Sequence, residues 1–225
     1  MKKEFFDDNY YALMAAYVTG TLSDAENMVV ASHLTLKPEA RQITRRMEAI
    51  GGALIQNDIV PEKLSNNCLS DVLSRLDTPY QETADTDAPK HRNEFQNNFD
   101  FPVPRPILRY LESQTTERAW KNVIRGIEKY EFDVTDEQKS ELLRIAPGVG
   151  VPAHTHEGEE ITLLLHGAFE DETGHYQPGD MIVLDERSEH HPVSDAQTGC
   201  VCLSVSSAPI KMTGPLMRFL NPFLK

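Results

Sequence analysis

The sequence lacks the features that would place it in a membrane or outside the cell. No run of about 18 apolar residues occurs in its 225 residues, so no membrane-spanning helix is expected. The amino terminus, MKKEFFDDNYYALMAAYV, carries acids and tyrosines where a signal peptide needs an unbroken apolar core. The three cysteines have no zinc-binding spacing and give no disulfide framework. We therefore expect a cytoplasmic protein that makes no contact with a membrane.

Positive charge is also scarce. The chain has 22 lysines and arginines against 35 aspartates and glutamates, which gives a net charge of −13. This balance argues against direct nucleic-acid binding and favours a basic protein partner, although acidity can also serve solubility alone. An apolar content of 40% is ordinary for a soluble globular protein.

The first residues follow the spacing of helices. Apolar residues between Tyr10 and Val18 recur at helical intervals, and Gly20 then offers a carboxy-terminal stop. Ser23 and Glu26 have the spacing of a capping box, in which each side chain satisfies a free backbone N–H group of the other. The sequence therefore predicts one helix that ends near Gly20 and a second that begins after Ser23.

Two more helices are predicted before residue 77. Pro38 suits the first turn of a third helix, because proline has no N–H group to lose there. A fourth helix should start near Ser65 and bury one apolar stripe. Four short helices offer few apolar faces for a stable bundle, so we expect one face to remain available for a partner. The residues expected on that face are Tyr10, Leu13, Met14, Tyr17, Val29 and Leu36.

Residues 77–105 lose this periodicity and have the polar, proline-containing composition of a linker, in which His91 should be solvated. Short strands separated by Gly, Pro and Asp follow. The predicted fold class is α+β, with an amino-terminal small helical bundle followed by an antiparallel β-barrel of the jelly-roll type. We divide the chain into a helical domain (1–85), a linker (86–105) and a barrel domain (106–225), and we expect the two domains to fold separately.

The stretch VPAHTHEGEE carries the clearest chemical signal. Residues two apart on a strand point the same way, so His154 and His156 can present both imidazoles to one side. Glu160 follows after a glycine that permits a bend, and His190 can supply a fourth ligand. His191 is the realistic competitor for that fourth position. Three imidazoles and one carboxylate suit one divalent ion, which could be Zn²⁺, Fe²⁺, Mn²⁺, Ni²⁺ or Co²⁺.

These residues resemble the motifs of a known superfamily. The run from Gly148 to Gly167 matches the first motif of the cupins at every position. The second cupin motif is matched in part, because Gly179 and His190 fall at the expected spacing. Asp185 and Arg187 stand where that motif usually has Pro and Gly.

The segment 12–41 resembles the helical sigma-binding domain of ChrR-type anti-sigma factors, in which a cupin-like domain follows. That family binds zinc there through an upstream histidine and the pattern His-x3-Cys-x2-Cys. His33 occupies the histidine position of this pattern, but Lys37 and Ala40 stand at the two cysteine positions, and no histidine precedes His33. A structural zinc ion needs four ligands, so we expect a zinc-free version of this domain, held by apolar packing.

The resemblance implies a regulatory protein and not an enzyme. Such a protein sequesters an extracytoplasmic-function sigma factor and releases it when singlet oxygen or organic peroxides appear. The metal in the barrel would act as the sensor, and zinc is the expected ion. The alternatives are a small dioxygenase-like cupin metalloenzyme with a helical dimerisation extension, and a metal-bound module that binds a small molecule without catalysis. The apolar tail LMRFLNPFLK should either pack on the barrel or form a homodimer contact.

Overall fold

A computed structural model describes residues 7–76, 99–112, 119–132 and 138–213 of the chain. His91 and the apolar tail lie outside these described residues. Helices come first and antiparallel strands follow, so the predicted α+β class is confirmed. Within the described ranges, no helix combines the length and apolar character that crossing a membrane requires.

The described residues form five helices. Their bounds are α1 Asp8–Thr19, α2 Asp24–Leu36, α3 Ala40–Asp58, α4 Cys68–Leu76 and α5 Arg105–Glu112.

The first two helices begin and end where local signals predict. Gly20 follows α1 with a φ of 69°, the left-handed conformation that glycine adopts without strain. The capping box of Ser23 and Glu26 is present at the start of α2, with both reciprocal hydrogen bonds formed. Pro38 does not lie inside α3, because the helix begins at Ala40 and the proline occupies the preceding turn.

The described part of the barrel contains eleven strands. Their bounds are β1 Lys121–Ile124, β2 Ile127–Glu131, β3 Lys139–Ile145, β4 His154–His156, β5 Glu160–Gly167, β6 Phe169–Asp171, β7 Gly174–Tyr176, β8 Met181–Leu184, β9 Val193–Ser194, β10 Cys200–Ser206 and β11 Ile210–Met212.

The strands form three antiparallel sheets. The largest has the order β1-β2-β3-β10-β5-β8, and the smaller ones are β11-β4 and β7-β6-β9. Strand β10 is buried along its whole length between β3 and β5. Strand β8 lies at the edge of the largest sheet. Strand β4 pairs with β11, so the two histidines of β4 belong to a different sheet from Glu160 on β5.

The helices and the barrel share one hydrophobic core, which corrects the expectation of two separately folding domains. Tyr10, Leu13 and Met14 of α1 are buried in the same apolar cluster as Leu142 and Leu203 of the barrel. The face of α1 and α2 that we expected to be free for a partner is therefore covered by the chain itself. The reason is that a barrel with an open edge offers an apolar surface that the short helices can bury.

The end of the predicted linker is also wrong. Phe99, Phe101 and Val103 are buried at 6%, 3% and 8% exposure, and Phe99 contacts the rings of Trp120 and Tyr130. Pro102 and Pro104 lie in an irregular stretch that packs on the barrel and leads into α5. Residues 77–98 lie outside the described part of the chain.

Burial in α4 is the reverse of the prediction, and the end of α3 is exposed as well. The carboxy-terminal half of α3, the segment after it and α4 expose their apolar side chains, between 52% and 89% of each. We call this set the α3–α4 surface. Its members are Ile50, Leu54, Ile55, Ile59, Val60, Leu64, Leu69, Val72, Leu73 and Leu76.

Candidate functional site

Three of the predicted metal ligands converge inside the barrel. His154 and His156 come from β4, and His190 follows β8 and pairs with His154 through backbone hydrogen bonds of 3.2 Å and 3.1 Å. The three side chains are buried, and one ligand atom of each lies within 4.8 Å of those of the other two. His191, the alternative to His190 in the sequence analysis, is exposed and lies outside this cluster.

Hydrogen bonds to the distal nitrogens orient two of the rings. Nδ1 of His154 lies 2.8 Å from the carbonyl oxygen of Pro152, and Nδ1 of His190 lies 3.2 Å from Oδ2 of Asp171. Both partners only accept hydrogen bonds, so each Nδ1 carries the proton and donates it. Each Nε2 therefore presents a lone pair to the centre of the cluster, which is the tautomer that binds a metal ion.

The two lone pairs face each other at short range. Nε2 of His154 lies 3.0 Å from Nε2 of His190. Two acceptors at this distance repel each other unless a cation lies between them. Burial, followed by the neighbouring His190, lowers the pKa of His154 to about 4, so Nε2 of His154 carries no proton at neutral pH. The arrangement fits a divalent metal ion, because nitrogen ligands about 2.0–2.1 Å from the ion can lie this close together.

The third histidine points to the same conclusion. Nδ1 of His156 lies 2.8 Å from Oε2 of Glu160, and its buried Nε2 has no hydrogen-bond partner among the described residues. A buried polar atom without a partner is costly, and a bound ion would satisfy it. The donor set of neutral imidazoles suits zinc and also iron, nickel, cobalt or manganese.

Glu160 lies beside the histidine cluster, with its carboxylate held by the sheet. Its Oε1 atom accepts hydrogen bonds from the hydroxyls of Thr162 at 2.8 Å and Ser204 at 3.0 Å. Burial would raise the pKa of Glu160, but contact with His156 and the Thr162 hydrogen bond bring it down to about 2. The group is therefore a carboxylate at neutral pH. Its role as the fourth ligand stays a prediction.

Asp171 is a functional candidate that sequence reasoning missed. Its side chain is 1% exposed, and it accepts hydrogen bonds from the backbone and hydroxyl of Thr173 and from the backbone of Gly174. These bonds hold Oδ2 in place for His190. The stretch Asp171-Glu-Thr-Gly174 reads as a hairpin turn, and no local signal relates it to a histidine 19 residues away.

A second candidate site is the α3–α4 surface. Leu69, Val72, Leu73 and Leu76 follow the i, i+3, i+4, i+7 spacing of one helical stripe, and all are more than half exposed. No residue of α4 is buried. Exposed apolar patches of this kind mark interaction sites in soluble proteins.

Comparison with known proteins adds the family context. Residues 111–209 match the model of the ChrR cupin-like domain. The chain is 34% identical, over 95% of its own length and 95% of the relative, to the anti-sigma-E factor ChrR of Cereibacter sphaeroides. It also resembles the crystal structure of Rhodobacter sphaeroides SigE in complex with the anti-sigma ChrR, with 33% identity and a TM-score of 0.66. That match covers 87% of this chain and 96% of the other.

Proposed function

Because the chain belongs to the family of ChrR-type anti-sigma factors, we propose that it sequesters an extracytoplasmic-function sigma factor in the cytoplasm. The observation that carries this proposal is the similarity to ChrR, which extends over 95% of both chains and so includes the helices as well as the cupin domain. Membership in this family also favours a regulatory protein over the cupin metalloenzyme that the barrel by itself would allow.

The α3–α4 surface is the proposed site of contact with the sigma factor. Tyr10, Leu13, Met14 and Val29 are already buried in the shared core, and Tyr17 and Leu36 pack against it, so they do not offer the partner surface that the sequence predicted. The exposed stripe of α4 has no partner among the described residues, and its nine residues are too few for a helix to be stable alone. An amphipathic helix of this kind gains stability when its apolar stripe enters a groove of another protein.

Coexpression tests this function directly. The tagged full chain is produced together with each extracytoplasmic-function sigma factor of the source genome, and the purified chain is examined for a bound sigma factor. One sigma factor should copurify at equal stoichiometry and lose transcriptional activity. If none of them copurifies or is inhibited, the proposed function fails.

A pair of variants locates the surface. Val72→Glu should weaken sigma binding by at least about tenfold, because it places a charge in an apolar contact. Val123→Glu on β1 is the matched control, since Val123 is exposed to a similar degree, at 50% against 53%. Equal binding by the two variants would place the interface elsewhere.

We propose further that the histidine cluster senses the inducing signal through a bound divalent ion, with zinc expected. Singlet oxygen and organic peroxides are the expected signals from the family resemblance. The support from the chain itself is the buried donor set of His154, His156 and His190, whose ligand atoms lie within 4.8 Å of one another. In a sigma-dependent reporter strain, His154→Ala should still repress but should respond weakly to an organic hydroperoxide or a photosensitiser. His175→Ala, which changes an exposed histidine, should respond normally. Full induction in His154→Ala would refute the sensor role.

A further inference from the structure

His33 has a new set of partners in place of a zinc ion. It is 3% exposed, at the position where the family pattern has a zinc ligand. Its Nδ1 lies 2.8 Å from the carbonyl oxygen of Gly179, and its Nε2 lies 2.9 Å from the hydroxyl of Tyr10. Because a carbonyl only accepts, Nδ1–H donates to Gly179 and Nε2 accepts from Tyr10. Both nitrogens are thus engaged, and neither lone pair is left for a metal.

These bonds connect three elements that are distant in the sequence. Tyr10 belongs to α1, His33 to α2, and Gly179 to the turn that precedes edge strand β8. Beside them, Nζ of Lys37 forms an ion pair of 2.8 Å with Oδ1 of Asp180. Lys37 stands at one of the two lost cysteine positions, so this residue also contacts the barrel instead of a metal.

The turn before β8 is shaped to admit α2 at close range. Gly179 has a φ of 91°, which strains any residue with a side chain. A Cβ atom on Gly179 would lie 3.0 Å from Cβ of Leu36 and 3.0 Å from Cγ of Lys37. Such contacts are tighter than nine in ten that real Cβ atoms make, so a side chain at position 179 would push the end of α2 away by a few tenths of an ångström.

We propose that these residues form a clasp that fixes α1 and α2 to the barrel and takes the place of a zinc ion in ordering the helices. The His33 clasp consists of Tyr10, His33, Lys37, Gly179 and Asp180. His33 is its central positioning residue, because it is hydrogen-bonded both to Tyr10 of α1 and to the Gly179 carbonyl of the barrel turn. This histidine and the Lys37–Asp180 ion pair connect α2 directly to the barrel.

The clasp also lies on a short route to the metal site. Strand β8 runs from Met181 to Leu184, and the segment after it leads to His190. At that far end of the strand, Asn9 of α1 donates a hydrogen bond of 3.4 Å to Asp185. The helices thus contact both ends of the strand that precedes a metal ligand.

Hydrogen–deuterium exchange of the full chain tests the clasp without a sigma factor, so its outcome is independent of the proposed function. His33→Leu removes both hydrogen bonds while filling the space. Amides of α1 and α2 should then exchange on the order of tenfold faster, since each lost bond leaves a buried partner unsatisfied. Amides of β3 and β10 should lose protection only by the drop in global stability that urea unfolding of the same variant measures, and elemental analysis should find the same metal content as in the unaltered chain.

A matched glycine pair separates the clasp from backbone strain. Gly179→Ala adds both a strained φ and the collision with α2, whereas Gly148→Ala adds strain at a φ of 68° with no atom closer than 3.9 Å. Only Gly179→Ala should speed exchange in α1 and α2. Equal effects of the two substitutions, or unchanged exchange in His33→Leu, would overturn the proposal. If His33→Leu does not fold, Tyr10→Phe removes one hydroxyl only, and normal exchange in that variant would overturn it as well.

Discussion

Replacing Met14 with alanine tests whether the helices and the barrel unfold as one unit. Met14 is fully buried on α1, in the apolar cluster that also contains Leu142 and Leu203 of the barrel. A protein with one core unfolds in one cooperative transition, so damage at α1 should destabilise the barrel too.

The expected loss follows from the size of the side chain. Truncating a fully buried methionine to alanine lowers the free energy of unfolding by about 2–5 kcal/mol, a figure that includes the cost of the cavity left behind. For a chain of this size, the free energy of unfolding falls by about 3 kcal/mol for each 1 M of urea. The urea concentration at the midpoint of unfolding should therefore fall by about 1 M.

The single tryptophan makes the assay specific for the barrel. Trp120 packs against Tyr130 of β2 with ring centres 5.8 Å apart, and the guanidinium of Arg144 lies 4.2 Å above its ring. Its fluorescence therefore reports the barrel, while circular dichroism at helical wavelengths reports mainly the helices. Both signals should shift by the same amount in the Met14→Ala variant.

Ile50→Ala serves as the control, because Ile50 is 63% exposed and its loss should move the midpoint very little. A helical transition that moves while the Trp120 transition stays in place would refute the shared core. The helical half would then be a separately folding domain, as the sequence by itself suggested.

Three further predictions concern the metal centre and the start of α2. Asp171→Asn should weaken metal binding about 10–100-fold, measured by competition with a chelator, because the amide no longer fixes the His190 tautomer; Glu170→Gln on the same strand should not. The metal-free protein should lose about 3 kcal/mol as pH falls from 6.5 to 4, measured by urea unfolding. Between pH 6.5 and pH 4, His154 takes up a proton in the unfolded chain but stays neutral in the folded chain. The unfolded state is therefore favoured as pH falls, and the stability that the folded protein has above pH 6.5 is lost below it. Ser23→Ala should cost about 1 kcal/mol by loss of the capping box, whereas Ser70→Ala should be nearly neutral.

Each of these has a clear contrary result. Equal metal affinity in the Asp171 and Glu170 variants would mean that the carboxylate does not orient the ligand. Unchanged pH dependence in a metal-free His154→Gln variant would assign the acid sensitivity to other groups. A Ser23 variant as stable as the Ser70 variant would show that the cap contributes little to α2.

Features encoded by neighbouring residues could be predicted from the sequence. The ends of α1 and α2 depend on Gly20 and on the Ser23–Glu26 pair, whose partners lie within one helical turn. The convergence of His154 and His156 depends only on the two-residue period of a strand. Because these interactions are local, the residue order determines them wherever the segment lies in the fold.

The choice of His190 over His191 has a mixed origin. Motif spacing favoured His190, and the structure places it in the cluster through backbone bonds with His154. Asp171 has no such signal, because its contact with His190 depends on where the β6–β7 hairpin lies relative to the segment after β8. A hydrogen bond between residues 19 apart can be found only once the sheets are assembled.

The sequence by itself determined which segments are helices, which are strands, and which histidines can share a metal ion. Only the tertiary structure decided which apolar stripes are buried, because burial depends on the surface that each stripe meets. The stripe of α1 meets the barrel and becomes core, whereas the equally regular stripe of α4 meets nothing in the described chain and stays exposed. His33 illustrates the same principle for a polar group. Lys37 and Ala40 stand where the family pattern has cysteines, so His33 has no partners for a metal site in the sequence. In the folded chain it is hydrogen-bonded to Tyr10 and to the carbonyl oxygen of Gly179.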